Sequence, residues 1–320
     1  MKMVFLDKAS LGDDLDYEAF NKLLPGWSGY ATSTSENKQQ RCKDAEIIIT
    51  NKVVIDRNFI EHADCLKLIC VAATGVNNID MNAAVEKAIP VCNVRGYATA
   101  SVVEHVFGLM INLQRHMADY QAAVNDGRWS QSEHFCYHGE RITELAGKTL
   151  GIVGYGELGK AVARLAQALS MKVLISQRPG TSSIDAERVV LEQLLIESDI
   201  VSLHCPLTTD THHLMNAHAF DLMPPHSVLI NTARGELINE KDLIEALTKN
   251  KIAGAAIDVL SQEPPVSDHK LLNLQLPNLI ITPHVAWASV EARQRMVHEL
   301  AENIRYFLQG RSRNQVILEI

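Results

Sequence analysis

No apolar stretch in the chain approaches the roughly 20 residues that cross a bilayer, because charged or polar residues interrupt every one. The opening Met1-Lys2-Met3-Val4-Phe5-Leu6 begins like a secretion signal, but Asp7 and Lys8 end it before a signal core is complete, so it reads as a first strand. Runs of Lys and Arg are missing, and the formal net charge is −8, which together exclude a nucleic-acid-binding or membrane-facing stripe. The six cysteines (Cys42, Cys65, Cys70, Cys92, Cys136, Cys205) contain no C-x-x-C pair, and several stand in apolar strand-like runs. Buried, reduced thiols in a cytoplasmic protein are expected, with no metal site. Internal repeats and low-complexity tracts are absent as well.

What is present is globular: hydrophobic residues make up 47% of the 320 and charged residues 21%. That length favours two domains with a small-molecule cleft. Short β-branched runs alternate with longer amphipathic ones, the signature of βαβ units and parallel sheets. The expected class is α/β, two domains, each a parallel sheet with flanking helices. Strands are predicted at Val4–Asp7, Glu46–Thr50, Leu68–Ala72 and Pro90–Asn93 in the first sheet. In the second they are predicted at Lys148–Val153, Lys172–Ile175, Asp199–Leu203, Ser227–Asn231, Gly254–Asp258 and Leu279–Ile281. An amphipathic segment from Ala100 to about Asp126 is expected to bridge the two domains, with 127–140 as an exposed connector. A last helix carrying Val290, Val297, Leu300, Ile304 and Phe307 is expected to return to the first domain. The resulting division is 1–99, 100–283 and 284–320.

The strongest motif is Gly154-Tyr155-Gly156-Glu157-Leu158-Gly159, between a strand and a helix bearing Val162, Leu165, Ala166 and Leu169. Glycines there permit a tight bend and close backbone approach to a pyrophosphate, which the helix N-terminus stabilises. A nicotinamide dinucleotide is the expected cofactor. After the second strand, where a carboxylate usually accepts hydrogen bonds from the adenosine ribose, stand Gln177 and Arg178. No negative charge excludes a 2′-phosphate and Arg178 can attract one, so NAD(H) and NADP(H) both remain open.

In open α/β sheets chemistry collects past the carboxyl ends of the strands. Those positions hold Thr232, Ala233 and Arg234, then Asp258 and Glu263, then His284. An arginine, a carboxylate and a histidine on one rim suit hydride transfer to a 2-keto acid. Arg234 offers a planar charged fork for the substrate carboxylate and keto oxygen. His284 can donate a proton to that oxygen, and Glu263 would orient the imidazole.

These motifs, with Asn231-Thr232-Ala233-Arg234-Gly235, Asp258-Val259, Glu263-Pro264 and Thr282-Pro283-His284, resemble the D-isomer-specific 2-hydroxyacid dehydrogenases along nearly the whole chain. The resemblance implies a Rossmann-type NAD(P)-binding domain inserted into a flavodoxin-like substrate domain, and a homodimer. It implies Arg234, Glu263 and His284 as the catalytic set. The implied cofactor residues are Gly154, Gly156, Glu157, Leu158, Gly159, Gln177, Arg178, Cys205, Pro206, Thr232, Ala233, Arg234, Asp258 and His284. Thr74, Gly75 and Val76, in a segment similar to the family's substrate loop, join Arg234 and His284 at the substrate. Gly96-Tyr97-Ala98-Thr99-Ala100-Ser101-Val102-Val103-Glu104-His105 and His284-Val285-Ala286-Trp287-Ala288-Ser289 look most like glycerate dehydrogenases, also called hydroxypyruvate reductases. Reduction of hydroxypyruvate to D-glycerate, and of glyoxylate to glycolate, is therefore the expected activity. The alternatives are a D-lactate or phosphoglycerate type of dehydrogenase, a dinucleotide-sensing binding protein, and, ranked lower, an enzyme on this scaffold acting on formate or an amino acid.

Overall fold

The computed structural model describes residues 1–178, 185 and 187–317. It divides into two compact units, Met1–Ala98 with Trp287–Ile320, and Thr99–Ala286. A parallel sheet needs crossovers that cover its faces, so its central strands are continuous apolar runs rather than alternating ones. Both units follow this rule. In the first, β1 (Met3–Phe5), β2 (Ser28–Gly29), β3 (Ile47–Thr50), β4 (Leu68–Val71) and β5 (Val91–Cys92) lie in the order β2-β1-β3-β4-β5, every pair parallel. β3 and β4 are buried at every position, and Phe59, Ile60, Ala83 and Ala84 from neighbouring helices complete their core. The short edge strand β2 was not among the predicted strands, because Ser28-Gly29 carries no apolar signal.

In the second unit, β6 (Thr149–Val153), β7 (Lys172–Ile175), β8 (Ile200–Leu203), β9 (Val228–Asn231), β10 (Gly254–Ile257) and β11 (Leu279–Ile281) lie in the order β7-β6-β8-β9-β10-β11. All are parallel. Leu203, Leu229, Leu243 and Leu247 lie in its core at 0–2% exposure, each such leucine stabilising by about 1.5–3 kcal/mol relative to an exposed one.

The amphipathic segment expected from Ala100 to about Asp126 is two helices, Thr99–Arg115 and Met117–Asn125. They part at His116, which is left-handed at φ 49 and bonds Asp119 through Nδ1 at 3.2 Å. The longer helix belongs to the second unit, where it packs on the helix Glu157–Ala168 and on β9 and β10. The second unit runs to Ala286, where Asp258 holds the backbone N–H groups of Val285 and Ala286. The helix Val290–Leu308 belongs to the first unit and packs on β4 and the helix Glu18–Leu23. All six cysteines are free; Cys42, Cys70, Cys92 and Cys205 are buried, whereas Cys65 is exposed and Cys136 half-buried. No described helix is long and apolar enough to cross a membrane.

Candidate active site

Strand register builds the rim of the second unit. Val153 pairs with Leu203, Leu203 with Asn231, Asn231 with Ile257, and Ile257 with Ile281. The next residue of each strand, Gly154, His204, Thr232, Asp258 and Thr282, therefore stands in one row at the carboxyl edge. Backbone bonds continue across it, from His204 N–H to Val153, Asp258 N–H to Asn231 and Thr282 N–H to Ile257.

The glycine motif opens this row. Gly154 has φ 97, and a Cβ on it would lie 2.4 Å from the backbone nitrogen of Cys205. A Cβ on Gly159 would lie 2.1 Å from the Gly154 carbonyl oxygen. Both glycines are required by packing. Gly156 is different: it is the N-cap of the helix Glu157–Ala168, gives no side-chain cap, and a Cβ there would meet nothing within 4 Å. Open space in front of uncapped helical N–H groups is what a pyrophosphate requires. Glu157 points elsewhere, its carboxylate accepting from the Thr99 hydroxyl at 2.5 Å. Along the row, the Thr232 hydroxyl oxygen is buried with no partner among the described residues, a group left for a ligand to satisfy. Burial pushes the Cys205 thiol up to about 11 and the His204 imidazole down to about 4, so both are neutral at neutral pH. Pro206 accepts from the Thr211 hydroxyl at 2.7 Å. At the end of β7, Gln177 donates its N–H to Val189 at 2.8 Å, and Arg178 beside it is exposed. These features fit a dinucleotide held by the glycine backbone, the helix N-terminus and Thr232.

The three proposed chemical groups follow β9, β10 and β11. Asn231, fully buried, accepts from Ala233 N–H at 3.0 Å and donates to the Arg234 carbonyl at 2.8 Å. Arg234 is half-buried and donates through Nη1 to Ala233. Gly235 follows because a Cβ would lie 2.0 Å from the Leu260 carbonyl carbon. Leu260 N–H in turn donates to Glu263 Oε1 at 2.9 Å. The other oxygen, Oε2, lies 2.6 Å from His284 Nδ1. The structure thus pairs Glu263 with His284 directly and brings the Arg234 turn against the loop that carries Glu263.

Asp258 is 1% exposed and accepts from Thr282 Oγ1 at 2.5 Å and from the N–H groups of Val285 and Ala286 at 3.0 and 2.8 Å. Its carbonyl accepts from His284 N–H at 2.8 Å. A residue expected at the cofactor is thereby engaged with the backbone around His284. Thr282 and His105, whose Nε2 lies 3.1 Å from Thr282 Oγ1, were quoted within motifs without a role. The only signal was a polar His105 inside an apolar helical stripe of Val102, Val106 and Leu109.

In the first unit, Thr74, Gly75 and Val76 form the turn after β4. Thr74 Oγ1 donates to Val94 at 2.9 Å, and Asn93 Nδ2 donates to the Thr74 carbonyl at 2.7 Å. Asn78 Nδ2 donates to Val53 at 3.0 Å. The turn is thus fixed at the carboxyl edge of that sheet, Thr74 exposed and Gly75 and Val76 half-buried.

Residues 107–286 match the family model described as D-isomer specific 2-hydroxyacid dehydrogenase, NAD binding domain. A glycerate dehydrogenase of Methylorubrum extorquens is 43% identical over 316 residues, 98% of this chain and 98% of that protein. A hydroxypyruvate reductase of Blautia hydrogenotrophica is 37% identical over 322 residues, 99% of each. Among solved structures, an acyclic imino acid reductase in complex with NADPH and D-Arg superposes with TM-score 0.87 at 30% identity, covering 99% of this chain and 100% of that one.

Proposed function

The chain belongs to the D-isomer-specific 2-hydroxyacid dehydrogenase family, and from that premise we propose that it reduces hydroxypyruvate to D-glycerate, and glyoxylate to glycolate, with NADH or NADPH. The observation that carries the reading is the 2.6 Å pair of His284 Nδ1 with Glu263 on the rim that also bears Arg234. The bound dinucleotide supplies the hydride that arrives at carbon 2. Arg234 holds the substrate carboxylate and polarises the keto oxygen through its planar guanidinium fork. With Nδ1 committed to Glu263, the proton passed to the developing alkoxide is the one on His284 Nε2. We assign Thr74, Gly75 and Val76 to the substrate carboxylate through their backbone N–H groups, on the resemblance of their turn to the family's substrate loop.

The absence of a carboxylate at Gln177 and Arg178 supports use of NADPH beside NADH. The similarity to a glycerate dehydrogenase and a hydroxypyruvate reductase supports hydroxypyruvate as the substrate. A cytoplasmic location and a homodimer complete the proposal. The dimer is supported by large apolar side chains exposed on one stretch of the second unit, Met117 at 59%, Trp129 at 49% and Phe135 at 93%. Loss of reduced-nicotinamide absorbance with hydroxypyruvate, NADH and NADPH in parallel tests the activity. Clear turnover with a D-glycerate product is expected. Cofactor binding without turnover of hydroxypyruvate, glyoxylate or pyruvate would replace the proposal with a dinucleotide-sensing role.

A further inference from the structure

Glu263 orients the His284 ring, but a proton is delivered along a defined line only if the backbone that carries the ring is also held. That backbone is in the left-handed region, at φ 54, which a residue with a Cβ adopts only where its surroundings enforce it. The enforcement comes from one face of the helix Thr99–Arg115. Ser101 and His105 are four residues apart, one turn on the same face. Ser101 Oγ donates to the Ala286 carbonyl at 2.7 Å, and His105 Nε2 lies 3.1 Å from Thr282 Oγ1. The helix thus grips both ends of the segment 282–286, with His284 at its middle and Asp258 beneath.

The hydrogen-bond directions follow from proton counting. Thr282 has one hydroxyl proton, and it goes to Asp258 Oδ1 at 2.5 Å. The hydroxyl can then only accept from His105, so Nε2 of that ring bears hydrogen. The same nitrogen is 3.6 Å from Asp258 Oδ1, on the carboxylate that takes the Val285 and Ala286 N–H groups. We propose that His105 is a positioning residue for the reaction: through Thr282 and Asp258 it holds the 282–286 backbone so that the His284 imidazole stays aligned with the substrate oxygen. The role rests on the reading of His284 as the proton donor.

His105→Leu removes the donor and His105→Gln keeps an N–H near the same place. With hydroxypyruvate and saturating cofactor, His105→Leu should lower kcat about tenfold while leaving the KM for NADH or NADPH within about twofold, and His105→Gln should recover kcat to within about threefold of the parent. Amide hydrogen exchange at Val285 and Ala286 should quicken in the Leu variant and return toward the parental rate in the Gln variant. In a Thr282→Val background, which cuts the same chain should His105→Leu fold poorly, the His105 substitution should add little. A Leu variant with parental kcat and parental exchange would overturn the proposal, as would a Gln variant that loses as much as Leu. If the parent itself turned over no keto acid, the proton-transfer reading would fall, while exchange at Val285 and Ala286 would still decide whether His105 holds the segment.

Discussion

After β1 the first unit turns at Asp7, and after β6 the second turns at Gly154-Tyr155-Gly156. The two sheets share a strand order in which the first strand lies between the second and the third, so each turn sits where the chain's direction of winding reverses, the place where such sheets bind ligands. In the first unit the place is filled from within. The Asp7 carboxylate, 6% exposed, accepts from the N–H groups of Asn51, Lys52 and Val53, the loop after the neighbouring strand. In the second unit the neighbouring loop, His204-Cys205, lies directly against Gly154, and Gly156 at the N-cap offers the helical N–H groups no capping side chain. One carboxylate is the difference between a closed switch point and one prepared for an anion.

That comparison can be broken from either side. Asp7→Ala leaves three N–H groups without their acceptor and should destabilise the fold by about 3 kcal/mol in chemical denaturation, with cofactor affinity within about twofold of the parent. A mild loss would mean water replaces the carboxylate and the turn is not closed by Asp7. The converse change, Gly156→Asp, puts a carboxylate where a Cβ has room and where Asp is a favoured N-cap. Stability should hold or rise by a few tenths of a kcal/mol, while affinity for NADH and NADPH falls about 100-fold through repulsion of the pyrophosphate. Unchanged affinity in a fluorescence titration would remove the pyrophosphate from this turn.

Smaller effects sharpen the same edge. Gln177→Asp should shift the NADH/NADPH preference about tenfold toward NADH by accepting from the ribose and repelling a 2′-phosphate; an unchanged ratio would reject that position for Gln177. The smallest effect is on pH. His204 is held down at about 4 by burial against an ordinary 6.5. Its unfolded form therefore takes up a proton first, so stability is full above about 6.5 and declines as pH falls toward 4. His204→Gln should flatten that decline in a series of melting curves.

The strands were legible where the physics is local. Ile47–Thr50 or Ile200–Leu203 must be buried on both sides, and such runs mark themselves. Predicted bounds exceeded the observed ones by a residue at each end at Pro90–Asn93 against Val91–Cys92, because turn residues flank the runs closely. The break at His116 was not legible: no Gly or Pro marks it, and its left-handed backbone depends on packing. In the candidate site, Arg234, Glu263 and His284 were proposed from their places past strand ends, and the structure pairs Glu263 with His284. The partnership of His105 with Thr282 spans 177 residues and exists only once the helix docks on the sheet. Likewise the burial of Asp7 under the loop of Asn51 could not be inferred from a polar residue after a short apolar run.

The central claim is that the His284 imidazole passes the proton in a hydride transfer to a 2-keto acid, and His284→Ala tests it most directly when kcat and cofactor affinity are measured on the same preparation. Turnover of hydroxypyruvate should fall by about a thousandfold with NADH and NADPH affinity within about twofold of the parent. Turnover near the parental rate would contradict the account.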